Sequence, residues 1–171
     1  MPLTRELKKN IDDYLKPTSY RKEKERWPII TNWDAQVREY FIKRAISYLD
    51  RIPDWNKARS VVCLVFDPYQ KVKVNEGLGA SKALHRCKDL MKAIARVVKR
   101  LGVPTEYNKE EYAGLESVFN KTGIDIRETI KEKYTKTVKK GVFRRRLVTV
   151  ERVREVERVK SAKTLIKELL S

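Results

Sequence analysis

Apolar positions along this chain recur mostly at three- and four-residue steps, the spacing that places side chains on one face of an α-helix. Residues 4–16 put Leu7, Ile11 and Leu15 on one stripe, and Pro17 ends the segment because proline lacks a donor and disfavours helix before it. In WDAQVREYFIKRAISYLDRI the apolar series is Val37, Phe41, Ala45, Tyr48, Leu49 and Ile52, with Thr31 or Asn32 as candidate cap and Pro53 as the stop. Asp54 caps a further segment, WNKARSVVCLVF, which Asp67-Pro68 ends. Its centre, Val61 to Phe66, fits a buried strand as well as a buried helix by periodicity, and the cap favours helix. The stretch YQKVKVNEGLGAS, with Gly77 and Gly79, reads as a loop holding a short extended piece at Lys71–Val74.

The clearest pattern covers residues 82–101. Leu84, Cys87, Met91, Ile94, Val98 and Leu101 form the stripe, Leu90 and Val97 widen it, Ser81 is a candidate cap, and Gly102 and Pro104 supply the stop. Two shorter helices are expected next. Asn108 caps KEEYAGLESVF, and Asp125 caps IRETIKEKYTKTV, where Ile126, Ile130, Tyr134 and Val138 stand four residues apart. After Gly141, the block VERVREVERV repeats valine every third residue. That spacing drifts about 60° per step on an ideal helix, so the helix must wind over a neighbour or break near Ser161. SAKTLIKELL is an amphipathic ending. The expected fold class is therefore all-α: a bundle of four to six helices over residues 31–171, with an extended basic N-terminal arm at residues 1–30.

Composition adds a partner to this picture. The 171 residues hold 40 Lys+Arg against 23 Asp+Glu, a net charge of +17. Self-repulsion on that scale opposes a compact state, and a bound polyanion relieves it. The helix at 82–101 contributes net +6, and residues 131–163 contribute +9. A solvated helix ordinarily mixes signs to form i,i+4 pairs, and residues 82–101 do not. Nucleic acid is the first candidate partner and an anionic membrane surface the second. High Lys, Arg and Glu content also marks proteins of hot environments, although thermal adaptation raises both signs together.

Candidate chemistry is sparse. Two cysteines, Cys63 and Cys87, cannot build a disulfide framework or a four-ligand zinc site, and both sit at apolar positions as core thiols would. The single histidine, His85, lies among cations and reads as a surface residue. Glu6-Leu7-Lys8 has the outline of a nuclease Glu-x-Lys element but lies in the arm, and no such element follows Asp67. Asp12-Asp13 and Glu110-Glu111 read as helix-surface or first-turn acids. Residues 76–82 have two glycines and a lysine at the wrong spacing for a phosphate loop. No enzyme and no cofactor are expected. The basic 82–101 helix has neither Asn nor Gln, which base-reading helices ordinarily use, so phosphate gripping without base reading fits best. No run of apolar residues is long enough to span a membrane, and the N-terminus lacks the continuous apolar stretch of a secretory signal.

Three pieces, TSYRKEKERWP running into ITNWDAQVREYF, LMKAIARVVKRLG, and NKTGIDIRETIKEKY, together resemble in layout the major capsid proteins of filamentous archaeal viruses, the lipothrixvirus type in particular. The tail RRRLVTVERVREVERVK is longer and more charged than the rod-shaped branch of such viruses implies. The resemblance implies a virion protein, in host cytoplasm during assembly. It would pair with itself or a related subunit and stack as a helical polymer around double-stranded DNA in an A-like form, inside a membrane envelope where one exists. On that basis the phosphate contacts are Lys16, Arg21, Lys22, Lys24 and Arg26 in the arm, with Arg86, Lys92, Arg96 and Lys99 on the basic helix. Arg144, Arg145 and Arg146 form a third group, and Tyr20 and Trp27 anchor the arm. The competing expectations are a cellular nucleoid-type or accessory DNA-binding protein and, behind it, a metal-dependent nuclease.

Overall fold

The computed structural model describes residues 3–17, 35–76, 87–142 and 146–171, with the backbone alone for residues 35, 38 and 67–76. Six helices and two strands lie among these residues: α1 (Arg5–Leu15), α2 (Ala35–Leu49), α3 (Trp55–Glu76), α4 (Lys88–Leu101), α5 (Lys109–Thr122), β1 (Arg127–Lys140), β2 (Arg146–Val159) and α6 (Ala162–Leu170). They form two units. The first is helical and comprises the described residues up to Asp125 together with Ser161–Ser171; the second is a hairpin within Ile126–Lys160.

Within the helical unit, α1 packs on α2 and α3, α3 on α5, and α4 on α2 and α6. The core is built from the stripes that periodicity marks: Ile11 and Leu15 from α1, Val37, Phe41 and Leu49 from α2, Leu90, Ile94 and Val98 from α4, Leu115 and Phe119 from α5, and Leu165 from α6. Each such side chain stabilises the fold by about 1.5–3 kcal/mol when removed from water. Thr4 caps α1 through Leu7 N–H, Asp54 receives Lys57 N–H at 2.8 Å at the start of α3, and Asn108 caps α5 through Glu111 N–H. Ser161 caps α6 by accepting from Thr164 N–H at 3.2 Å. Gly102 (φ 73°) and Gly123 (φ 77°) end α4 and α5 in backbone conformations open mainly to glycine.

Trp55 ties three elements together. Its ring is buried, its Nε1–H donates to Gly102 O at 2.9 Å, and its backbone N–H donates to Glu111 Oε2 at 2.9 Å, so a carboxylate sits at the N-terminus of α3. The helices α3 and α5 cross closely at Gly114, where an added Cβ would stand 2.6 Å from Trp55 O.

The helix α3 runs on to Glu76, past the expected stop at Asp67-Pro68 and through the segment Lys71–Val74 expected to be extended. Pro68 has no N–H for the carbonyl of Leu64 four residues before it. The hydroxyl of Tyr14 on α1 donates to that carbonyl instead, at 3.1 Å and buried. A neighbouring helix thus supplies the donor that the proline lacks. The helix α4 begins at Lys88 with Cys87 at its cap; the earlier start at residue 82, its Ser81 cap and His85 lie outside the described residues. Cys63 is buried and Cys87 half-buried.

The all-α expectation is overturned in the last third. The segment expected to be a helix capped by Asp125 is β1, and the valine-rich block expected to be the next helix is β2. They pair antiparallel in continuous register from Arg127 opposite Val159 to Lys140 opposite Arg146, and Lys160 N–H extends the ladder to Ile126 O at 2.7 Å. Fourteen residues per strand give a ribbon about 45 Å long. Gly141 follows β1 directly, and its φ of 110° suits glycine. The fold is accordingly mixed, a helical unit with a long β-ribbon.

Candidate nucleic-acid interface

Alternation along paired strands gives the ribbon two faces. The register places Glu128, Ile130, Glu132, Tyr134, Lys136, Val138 and Lys140 of β1 on one face with Arg146, Val148, Val150, Arg152, Arg154, Val156 and Arg158 of β2. We call this the valine face. Its half-buried apolar and aromatic residues, Ile130, Tyr134, Val138, Val150 and Val156, shelter one another across the strands, Ile130 directly opposite Val156 and Val138 opposite Val148. The opposite face carries Arg127, Thr129, Lys131, Lys133, Thr135, Thr137 and Lys139 with Leu147, Thr149, Glu151, Val153, Glu155, Glu157 and Val159.

Charge is distributed unevenly between the faces. The hairpin holds thirteen Lys and Arg against five Glu, nearly half of the chain's surplus on a fifth of its length. On the opposite face Lys131 stands across from Glu155, Arg127 reaches Glu157 at 3.6 Å, and Glu151 adds a third acid. At the open end of the valine face two arginines are neutralised: Arg158 by Glu128 at 2.8 Å and Arg154 by Glu132 at 2.9 Å. Arg154 also lies over the Tyr134 ring, 5.2 Å from its centroid. Beyond Glu132, toward the turn, the valine face bears Lys136, Lys140, Arg146 and Arg152 with no carboxylate among them. Exposed ion pairs are worth about 0–1 kcal/mol, so the pairing near the open end matters for where free charge lies more than for stability.

The basic residues of the helical unit divide in the same way. Arg100 donates to the carbonyls of Leu49 at 2.8 Å, Ile52 at 2.9 Å and Asp50 at 3.0 Å, satisfying the C-terminal end of α2. Arg96 is bound to the Asp50 carboxylate at 3.0 Å. Lys92 and Lys99 are exposed on α4, and no described residue pairs with them. Lys16 is exposed just beyond α1, where its backbone N–H donates to Asp12 O.

Asp12 organises the other polar cluster. It accepts from Arg44 Nε–H and from the Tyr40 hydroxyl at 3.3 Å, its backbone carbonyl accepts from the Tyr48 hydroxyl at 3.2 Å, and Arg44 stacks over Tyr48. Burial and the Asp12 charge raise the Tyr40 phenol above its ordinary pKa, and the hydrogen bond to Asp12 raises that of Arg44. This cluster clamps α1 to α2.

Of the contacts implied by the capsid resemblance, Arg146 lies on the valine face, Lys92, Arg96 and Lys99 lie on α4, and Lys16 ends α1. Arg21, Lys22, Lys24, Arg26, Arg86, Arg144, Arg145, Tyr20 and Trp27 lie outside the described residues. Sequence reasoning did not single out Lys136, Lys140 and Arg152. The available signal was that Lys136 and Lys140 keep step with Tyr134 and Val138 at a period of two. Among the described residues no three His, Cys, Asp or Glu side chains gather as a metal site would require, and no helix is long and apolar enough to cross a membrane. No family model matches the chain, and no curated protein or solved structure matches it.

Proposed function

We propose that this protein binds double-stranded DNA irrespective of sequence, gripping phosphates with its basic ribbon. The observation that carries this reading is the hairpin itself: ten cations against five acids on two strands with side chains on both faces largely exposed. A duplex presents about one negative charge per 1.7 Å of axis, and release of its condensed counterions drives association with such a surface. The major groove, about 12 Å wide, admits a two-stranded ribbon. The hairpin contains neither Asn nor Gln, the side chains that pair bidentately with adenine, in keeping with contacts that do not depend on base identity.

Packaging of DNA in a helical virion filament is the arrangement implied by the capsid resemblance. One of its three pieces, NKTGIDIRETIKEKY, ends in strand β1 instead of helix, so that arrangement now draws its support from charge more than from helix layout. Electron microscopy of the full chain mixed with linear duplex DNA separates the alternatives. Regular filaments support packaging, and irregular coating supports a nucleoid-type or accessory role. Bare DNA overturns duplex binding, and cleavage on addition of a divalent metal would instead establish a nuclease.

A further inference from the structure

Two faces of one ribbon cannot approach the same duplex groove equally, and here they differ in free charge. We propose that the valine face, in its half nearer the turn, is the surface that seats on duplex DNA. This assignment rests on the duplex-binding reading above and deepens it. Lys136, Lys140, Arg146 and Arg152 occupy that half without a carboxylate, spread over six residue steps or about 20 Å. The opposite face sets Glu151, Glu155 and Glu157 among its cations, so a duplex approaching it meets three like charges. The acids of the valine face, Glu128 and Glu132, stand at the open end, each engaged by an arginine.

Apolar side chains support the same choice. Val138, Val148 and Val150 lie between the cations, and the first two form a direct cross-strand pair. They offer deoxyribose a surface without hydrogen-bonding groups, which is indifferent to base identity. Tyr134 marks the boundary, holding Arg154 over its ring beside the ion-paired end.

The test compares two full-length variants with equal loss of charge. One is Lys136→Gln, Lys140→Gln, Arg152→Gln on the valine face; the other is Lys131→Gln, Lys133→Gln, Lys139→Gln on the opposite face. Affinity for a random-sequence duplex is measured by fluorescence anisotropy across a salt series. If each of the three valine-face cations neutralises one phosphate, log K against log salt becomes shallower by about 2.7, equivalent to about 500-fold weaker binding at 0.1 M salt. The opposite-face variant should change the slope by less than about 1. Circular dichroism checks the fold of each. A third variant, Lys136→Arg, Lys140→Arg, Arg152→Lys, should bind as the parent does. Equal losses from the two Gln variants, no loss from the valine-face variant, or failure of the charge-preserving variant overturns the face assignment while leaving duplex binding intact. An unaltered chain that does not bind duplex overturns both.

Discussion

The proline inside α3 makes a quantitative prediction about how α1 is held. Pro68 leaves Leu64 O without its helical donor, and the Tyr14 hydroxyl fills that vacancy from a buried position. Tyr14→Phe keeps the ring, including its contact with Phe41 at a centroid distance of 6.0 Å, and removes only the hydroxyl. Burying an unsatisfied carbonyl costs about 1–3 kcal/mol, so the variant should lose about 2 kcal/mol. For a chain of this length each kcal/mol corresponds to about 2–4 °C in Tm. Pro68→Ala restores the N–H to Leu64 O and improves helix propensity by up to about 3 kcal/mol. In the Pro68→Ala background the carbonyl already has a donor, and Tyr14→Phe should cost less than about 1 kcal/mol. Denaturant unfolding of the four chains, followed by circular dichroism, yields a coupling of about 1 kcal/mol or more. Additivity within about 0.5 kcal/mol would show that the two residues do not share the carbonyl and would refute the reasoning.

Gly114→Ala places a methyl 2.6 Å from Trp55 O and 2.7 Å from its carbonyl carbon, both backbone. Overpacking of about 1–3 kcal/mol should outweigh the gain of about 1 kcal/mol in helix propensity, read as a lower denaturation midpoint. Arg100→Gln strips the α2 terminus of its guanidinium donors and should lower stability by about 2 kcal/mol, yet leave the salt slope of DNA binding unchanged because this cation faces the protein's own carbonyls. Tyr40 holds its proton more tightly folded than unfolded, so stability falls as pH rises through the unfolded phenol value of about 10 toward the higher folded one. Tyr40→Phe should remove that part of the alkaline slope, measured as the difference between the two chains' midpoints above pH 10.

The helical unit was legible because its stripes, caps and stops act locally. Asp54 and Asn108 cap where the sequence places them, and Gly102 ends α4. The ribbon was misread for a specific reason. A four-residue step, as from Ile126 to Val138, is close to one helical turn and also a multiple of two, so it fits one helix face and one strand face alike. The β-branched content of these segments, with Thr129, Thr135, Thr137, Val148, Thr149 and Val150, was the discriminating signal. The three-residue valine spacing of β2 fits no single face of either element, and it persists because both faces of the ribbon are largely exposed. The length of α3 depended on information that local sequence does not hold: the donor that lets it continue through Pro68 comes from Tyr14, on another helix. The candidate interface followed the same division, its net charge visible in composition and its partition between faces visible only once register was known.

Whether the surplus charge serves duplex phosphates irrespective of sequence is tested most directly by titrating the full chain with two unrelated duplexes of equal length, between about 50 and 200 mM salt. Phosphate gripping without base reading requires matching affinities and a steep, common salt slope of about 0.9 per phosphate neutralised. Absence of binding at the lowest salt, or preference for one duplex by about a thousandfold as specific readers show, would contradict it.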